Sequence, residues 1–306
     1  MTIQDSWTRY SEQMANIEIF QRTIRDTANA EFARLRKFKA AEEAEKSSSA
    51  IEVATHNMLF TNANTGEKIF YCHRKLSIDD LLLESRLQKN RQYQWLLADA
   101  YELFEDFLFR AYAIVASVNK DAWPLSDYGN ISLSDLALQD ITWYVEQARK
   151  KKGAPRSILA RIRELVPELR QMESDNALQI NLSFAIVLIQ EIRHLIVHAG
   201  GTTANTETFV SSVASKAGLL NNGGIAPENR QLAEQFFGVG KYGNLVTLLE
   251  VPTGDGLPIG TYHCRFGILT NVLMSYAHAL HKLTETYVQA SAVSGVSLPN
   301  PSKMPS

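Results

Sequence analysis

Apolar side chains recur every three or four residues along most of this chain, which is the spacing of amphipathic helices. The first such segment runs from about Ser6 to Lys46 without proline or glycine, and it predicts one helix or a helix pair. A second runs from about Asp79 to Ser117, with a candidate break near Gln88. Its later part is apolar on more than one side, so we expect it to be central.

Between these helices the pattern becomes that of strands. Residues 51–60 and 68–73 flank the turn-forming sequence Asn62-Ala63-Asn64-Thr65-Gly66. Two short apolar segments around such a turn predict a β-hairpin.

The second half of the chain again favours helices. The pattern predicts helices from Ser132 or Ser134 to Lys152, from Ala154 to Met172 with a kink at Pro167, from about Ile180 to Val197, and from about Phe266 to Ala290. Residues 202–229 are rich in Asn, Thr, Ser and Gly and predict mostly irregular structure, followed by two strands at 244–251 and 260–266. The chain is therefore predicted to be mainly α, with a helical segment at 1–50, a hairpin and connector at 51–85, a helical bundle at 86–290 with an irregular and β insertion at about 202–265, and a disordered tail at 291–306.

Composition excludes several classes of protein. The formal net charge is −2, so any basic surface must be local. The two cysteines, Cys72 and Cys264, are too few for a disulfide framework and favour a reducing compartment. No signal peptide is visible, and polar residues such as Arg193 interrupt the most apolar run. We expect a cytoplasmic protein without a membrane partner.

That apolar run ends in an unusual group of residues, Arg193-His194-Leu195-Ile196-Val197-His198, followed by Ala199-Gly200-Gly201. Cationic side chains on a buried helix need partners or water, because desolvating them unpaired is costly. The four-residue spacing places both histidines on one face, and His198 falls in the last turn, where the helix dipole favours an imidazolium. Arginine can hold a phosphate and histidine can move a proton near neutral pH, which suits phosphoryl transfer or RNA cleavage.

The same run resembles the signature of the HEPN family of all-helical nucleases, in which an arginine, a polar residue and three further residues precede a histidine near a helix end. The Leu-Ile-Val sequence between the two histidines and the Ala-Gly-Gly sequence after them are also similar to the family. The resemblance covers about Leu87 to Ala290 and implies a HEPN-like antiparallel helical bundle. It does not account for the N-terminal helix, the hairpin or the insertion.

The resemblance implies a metal-independent endoribonuclease without a cofactor, in which the RNA's own 2′-OH attacks the adjacent phosphate. His198 would act as general acid or base and Arg193 would hold the phosphate. His194 would orient His198 or contact the RNA backbone. The resemblance further implies a homodimer, a role as a toxin or anti-phage defence effector, and an antitoxin or another regulatory protein as a partner.

Two further sets of charged residues bear on this hypothesis. Eight cations fall within residues 149–170, and they include the candidate RNA-binding residues Lys150, Lys151, Lys152, Arg156 and Arg163. These suit contact with an RNA backbone, or else form a solvated helix face. Glu102 and Glu105 on the central helix could pair with Arg193 or orient a histidine, and they could equally be surface residues.

Metal binding and a non-catalytic role are the competing interpretations. His194 and His198 could chelate zinc, but Leu195 stands where a metalloprotease needs glutamate, and no compact set of further ligands follows. Cys72 and His73, with their counterparts His263 and Cys264, point to opposite faces of their predicted strands. We therefore predict no metal site. A helical module that binds RNA or protein without catalysis is the alternative function.

Overall fold

The structure is a computed structural model that describes residues 1–44, 54–220, 224–253 and 262–294. Within these ranges the chain forms ten α-helices and two two-stranded antiparallel sheets, which confirms the mainly α class. No helix among these residues is long and apolar enough to cross a membrane. The chain divides into two compact units, one formed by residues 1–17 with the described residues from Leu96 onward, and one formed by Glu18–Trp95. This division differs from the predicted boundaries, since the first 17 residues belong with the bundle.

The Glu18–Trp95 unit contains the predicted hairpin. Strands β1 (Ala54–Thr61) and β2 (Lys68–Leu76) pair antiparallel, with a register shift between Met58 and Leu59. Gly66 closes the turn with φ +74° and donates its N–H to the Asn62 carbonyl at 2.9 Å. The hairpin is confirmed, although residues 51–53 of its predicted first strand lie outside the described residues.

Long helices flank the hairpin in sequence. Helix α1 (Ile3–Ala44) is a single helix and not a pair, and α2 (Ile78–Val118) runs without a break through residues 88–90. The second part of α2 is buried as expected, because Tyr101, Phe104 and Leu108 are at most 1% exposed.

Seven further helices complete the bundle unit, apart from the one-turn helix α3 (Leu133–Leu136). They are α4 (Ile141–Lys150), α5 (Arg156–Leu165), α6 (Glu168–Ser174), α7 (Leu182–His198), α8 (Thr206–Lys216), α9 (Pro227–Glu234) and, after the second sheet, α10 (Arg265–Ser294). Helix α7 is the core helix of this set, since it packs against α6, α8, α9 and α10 and buries nine of its 17 residues. Asn181 begins it by accepting the Phe184 N–H at 2.8 Å.

Two predicted helices are each divided in the structure. Pro167 separates α5 from α6 where a kink was expected, because the residue before a proline is driven out of the helical region. Val166 accordingly has φ −134° and ψ 83°. The helix predicted to reach Lys152 from Ser132 or Ser134 is likewise split, and Asp140 begins α4 by accepting the Trp143 N–H at 3.1 Å.

The insertion at 202–265 was predicted incorrectly in its first part. Residues 202–229, expected to be irregular, contain α8 and the start of α9. Asn205 caps α8 by accepting the Thr208 N–H, and the buried side chains Phe209, Val210 and Val213 carry a helical spacing that the polar composition obscured.

The strands predicted at 244–251 and 260–266 are found in part, and residues 260 and 261 lie outside the described residues. Strands β3 (Glu250–Pro252) and β4 (Tyr262–Cys264) pair antiparallel over three residues each. Residues 291–294, predicted to begin a disordered tail, form the last turn of α10, and the remainder of that tail lies outside the described residues.

An aromatic cluster joins the start of α1 to α10. The Trp7 ring stacks on His281 at a centroid distance of 5.6 Å and also contacts His278. His281 is 1% exposed, and within the described residues neither of its ring nitrogens has a hydrogen-bond partner. Burial, together with the Lys282 charge, lowers the pKa of His281 below its ordinary value of 6.5.

Acidification should therefore destabilise the bundle through His281. Below about pH 6.5 the His281 imidazole binds a proton in the unfolded chain more readily than in the folded chain. The stability present above this pH is therefore lost as the pH falls. We expect His281→Phe, which keeps a ring against Trp7, to reduce the loss of thermal stability between about pH 7 and about pH 5. Thermal unfolding of both proteins across this range tests it, and an identical acid dependence would contradict the assignment.

Candidate functional site

The site begins at the end of α7. The Ala199 and Gly201 N–H groups both donate to the Leu195 carbonyl at 2.9 Å. Gly200 and Gly201 have φ +64° and +79°, a region that glycine enters without the steric cost of a Cβ. The paired glycines thus follow the end of the helix and leave His198 as its last residue.

The two histidines of the motif lie side by side. The ring centroids of His194 and His198 are 4.6 Å apart, with their planes inclined at 49°. Both residues are exposed, so both imidazoles can reach a molecule bound from solvent. This is the arrangement that their four-residue spacing predicts.

Arg193 lies beside them and is held by an acidic partner. Its Nη2 donates to the carboxylate of the exposed Glu102 at 2.8 Å, so Glu102 is a surface residue that pairs with Arg193. Glu102 is 59% exposed and Arg193 26% exposed in their side chains. An ion pair of this exposure contributes about 1 kcal/mol or less, so a phosphate can compete with Glu102 for the guanidinium.

A polar cavity of about 180 Å³ opens next to Arg193, and we call it the α2–α7 cavity. It is lined by Tyr101, Glu105, Gln190, Glu191, Arg193, His194 and Lys216. Three buried polar atoms of this lining have no hydrogen-bond partner in the described part of the chain: Tyr101 Oη, Gln190 Oε1 and Arg193 Nε.

The two carboxylates that line the cavity, Glu105 and Glu191, differ in environment. Burial raises the pKa of the Glu105 carboxyl, although the Arg193 charge acts in the opposite direction. Glu191 instead accepts a hydrogen bond from Lys216 Nζ at 2.6 Å. Glu105 is thus the acidic group of the cavity available to a bound molecule.

The candidate RNA-binding cations are not equivalent. Lys150, Lys152 and Arg156 are exposed, as a backbone-contacting surface requires. Lys151 pairs with Asp127 and its Nζ lies 5.6 Å from the centroid of the Tyr112 ring. Lys151 is therefore partly used within the fold.

Arg163, predicted to contact RNA, is held by an acidic partner within the fold. Its Nε and Nη2 donate to Glu173 at 2.6–2.9 Å, and Glu173 also accepts from the buried Tyr276 hydroxyl. Only 20% of the Arg163 side chain and 6% of the Glu173 side chain are exposed. The division at Pro167 also places Arg163 and Arg170 on different helices, α5 and α6.

A second cavity, of about 380 Å³, adjoins the first. The two share Gln190 and Lys216 in their linings, and the second extends to Arg156 and Ser157 at the start of α5. The exposed Arg156 therefore lines a cavity that neighbours the one beside Arg193.

Metal ligands are the remaining chemical question. In the described ranges, no group of three or more His, Cys, Asp or Glu residues is placed to hold a metal ion. Cys72 lies in β2 and Cys264 in β4, and neither forms a disulfide within the described residues.

No family model, curated protein or solved structure matches the chain.

Sequence reasoning missed Tyr101, Gln190 and Lys216. Gln190 carried a usable signal, because it is a polar residue three positions before Arg193 on an otherwise apolar helix and so shares its face. Tyr101 and Lys216 carried none, because only the packing of α2 and α8 against α7 brings them to the cavity.

Proposed function

We propose that this protein is a metal-independent endoribonuclease whose site consists of Arg193, His194 and His198. The observation that carries the proposal is the pair of exposed imidazoles with centroids 4.6 Å apart at the end of α7, next to a guanidinium. The resemblance of this motif to HEPN nucleases supports the same chemistry. We further propose that the protein acts in the cytoplasm as a toxin or defence effector, held in check by an antitoxin or another regulatory protein.

The proposed reaction uses only the RNA and these side chains. A 2′-oxygen attacks the adjacent phosphorus and passes its proton to a basic imidazole, the bond from phosphorus to the 5′-oxygen breaks, and that oxygen takes a proton from an acidic imidazole. His198 acts as one of these groups. Arg193 exchanges Glu102 for the phosphate and stabilises its developing charge. A homodimer would supply a second motif and hence a second His198.

The first test is cleavage by the unaltered protein in excess EDTA. We expect end-labelled RNA to be cut into products with 2′,3′-cyclic phosphate and 5′-hydroxyl ends, because the 2′-oxygen is the nucleophile. DNA of the same sequence, and RNA with a single 2′-deoxynucleotide at the cut, should stay intact there. Activity that EDTA abolishes would indicate a metal-dependent enzyme and would contradict the proposal.

A non-catalytic RNA-binding module is the second candidate, and one observation favours it. Arg193 is already neutralised by Glu102, as a structural arginine would be. Under this alternative the protein binds RNA and leaves every RNA uncut. The same assay, run with a binding measurement, separates the two functions.

A further inference from the structure

Three residues that line the α2–α7 cavity carry buried polar atoms with no hydrogen-bond partner among the described residues. Buried polar groups are nearly always hydrogen-bonded, so unpaired ones indicate a missing partner. Here Tyr101 is 1% exposed and its hydroxyl has no partner among the described residues, and the same is true of Gln190 Oε1 and Arg193 Nε. The three atoms belong to residues that line one cavity.

The cavity also lies where an RNA strand at the proposed site would pass. His194 is in its lining, and the His198 ring is 4.6 Å from the His194 ring. It also shares Gln190 and Lys216 with the neighbouring cavity, whose lining includes Arg156. A cavity of about 180 Å³ has room for one unpaired base and not for a base pair.

We propose that the α2–α7 cavity binds a single guanine base of the RNA next to the bond that is cleaved, with Glu105 and Gln190 as the residues that select it. The inference rests on the proposed function for the identity of the ligand as an RNA base. Sequence-specific RNA recognition commonly uses an unstacked base whose Watson–Crick edge is hydrogen-bonded in a pocket.

Guanine is selected by the number of donors and acceptors that these residues offer. Gln190 Oε1 and the Glu105 carboxylate accept hydrogen bonds, whereas Arg193 Nε donates one. The Watson–Crick edge of guanine is complementary to this set, since it has two adjacent N–H donors and one carbonyl acceptor. Adenine, cytosine and uracil each offer a single donor position on that edge.

The remaining groups fit the same assignment. The Tyr101 hydroxyl can donate or accept and so can satisfy either end of the base. Glu191 is occupied by Lys216, which leaves Glu105 as the free carboxyl of the lining. Arg193 would contact the base through Nε and the phosphate through its outer nitrogens, which links base binding to the proposed reaction.

Nucleotide binding tests the inference without cleavage. We would titrate GMP, IMP, AMP, CMP and UMP into the full-length His198→Ala protein by calorimetry. We expect GMP to bind about 10- to 100-fold more tightly than AMP, CMP or UMP, and IMP to be weaker than GMP because it lacks the 2-amino donor. Equal affinities for all five nucleotides would overturn the inference.

Substitutions then locate the selectivity. Glu105→Gln replaces an acceptor with a donor at constant size, and Gln190→Met removes the other acceptor. Each should weaken GMP binding by about tenfold or more and leave UMP binding unchanged. Glu146→Gln makes the same chemical change as Glu105→Gln on an exposed surface and should preserve the preference. A preference retained in both cavity variants would also overturn the assignment.

Mapping of the cut sites separates this inference from the proposed function. Cleavage confined to positions beside guanine, and relaxed in Glu105→Gln, supports both. Selective GMP binding by a protein that cuts no RNA supports the guanine assignment of the cavity and contradicts the proposed ribonuclease activity. Cleavage without base preference, together with unselective binding, supports the nuclease and overturns the cavity assignment.

Discussion

Replacing His198 with alanine should reduce RNA cleavage by about 10²- to 10⁴-fold, which is the usual contribution of a general acid or base. His198 is exposed at the end of α7, so the change should alter the free energy of unfolding by about 0.5 kcal/mol or less. Single-turnover cleavage of labelled RNA in EDTA measures the loss. The control is His56→Ala, which removes an exposed imidazole from the hairpin and should retain full activity.

Two comparisons make this result specific to the motif. Arg193→Ala should also abolish cleavage, because the phosphate loses its guanidinium. His194→Ala should have a smaller effect if His194 only orients His198 or contacts the RNA backbone. Cleavage at the unaltered rate in a folded His198→Ala protein would remove His198 from the site, and with it the proposed reaction.

The sequence predicts the motif's local geometry because that geometry depends on neighbours in the chain. The apolar run of α7, its glycine stop and the four-residue histidine spacing are all local, and the structure has each of them. The same holds for the hairpin, whose turn residues lie within one short segment. Local signals failed at α8, where an Asn- and Ser-rich composition concealed the spacing of a buried apolar face.

Ion pairs between residues that are distant in the sequence could not be predicted from such local patterns. Glu102 and Arg193 are 91 positions apart, and their pairing depends on how α2 packs against α7. Arg163 is a second example, in which a residue predicted to lie free on a surface has a partner in the fold. A count of cations assigned it to an RNA surface, whereas the break at Pro167 turns the chain so that Glu173 reaches its guanidinium. Charge along a sequence therefore predicts a basic segment but not which of its residues are free.

Breaking the ion pair between Arg163 and Glu173 should strongly destabilise the bundle. Glu173 accepts hydrogen bonds from Arg163 Nε, from Arg163 Nη2 and from the Tyr276 hydroxyl, and Tyr276 is fully buried. Removing one partner of a buried pair leaves an uncompensated charge, which commonly costs about 3–5 kcal/mol. We expect a loss of this size for Glu173→Ala, measured by urea unfolding.

A matched control separates this effect from the loss of any salt bridge. Glu164→Ala removes an exposed carboxylate that pairs with Arg161, and it should cost about 1 kcal/mol or less. If Glu173→Ala proves equally mild, Arg163 is not held in the core and its role as an RNA contact returns. If the loss is large, weak RNA binding by an Arg163 variant reflects unfolding, and the RNA surface should be sought at Lys150, Lys152 and Arg156, which the fold leaves exposed.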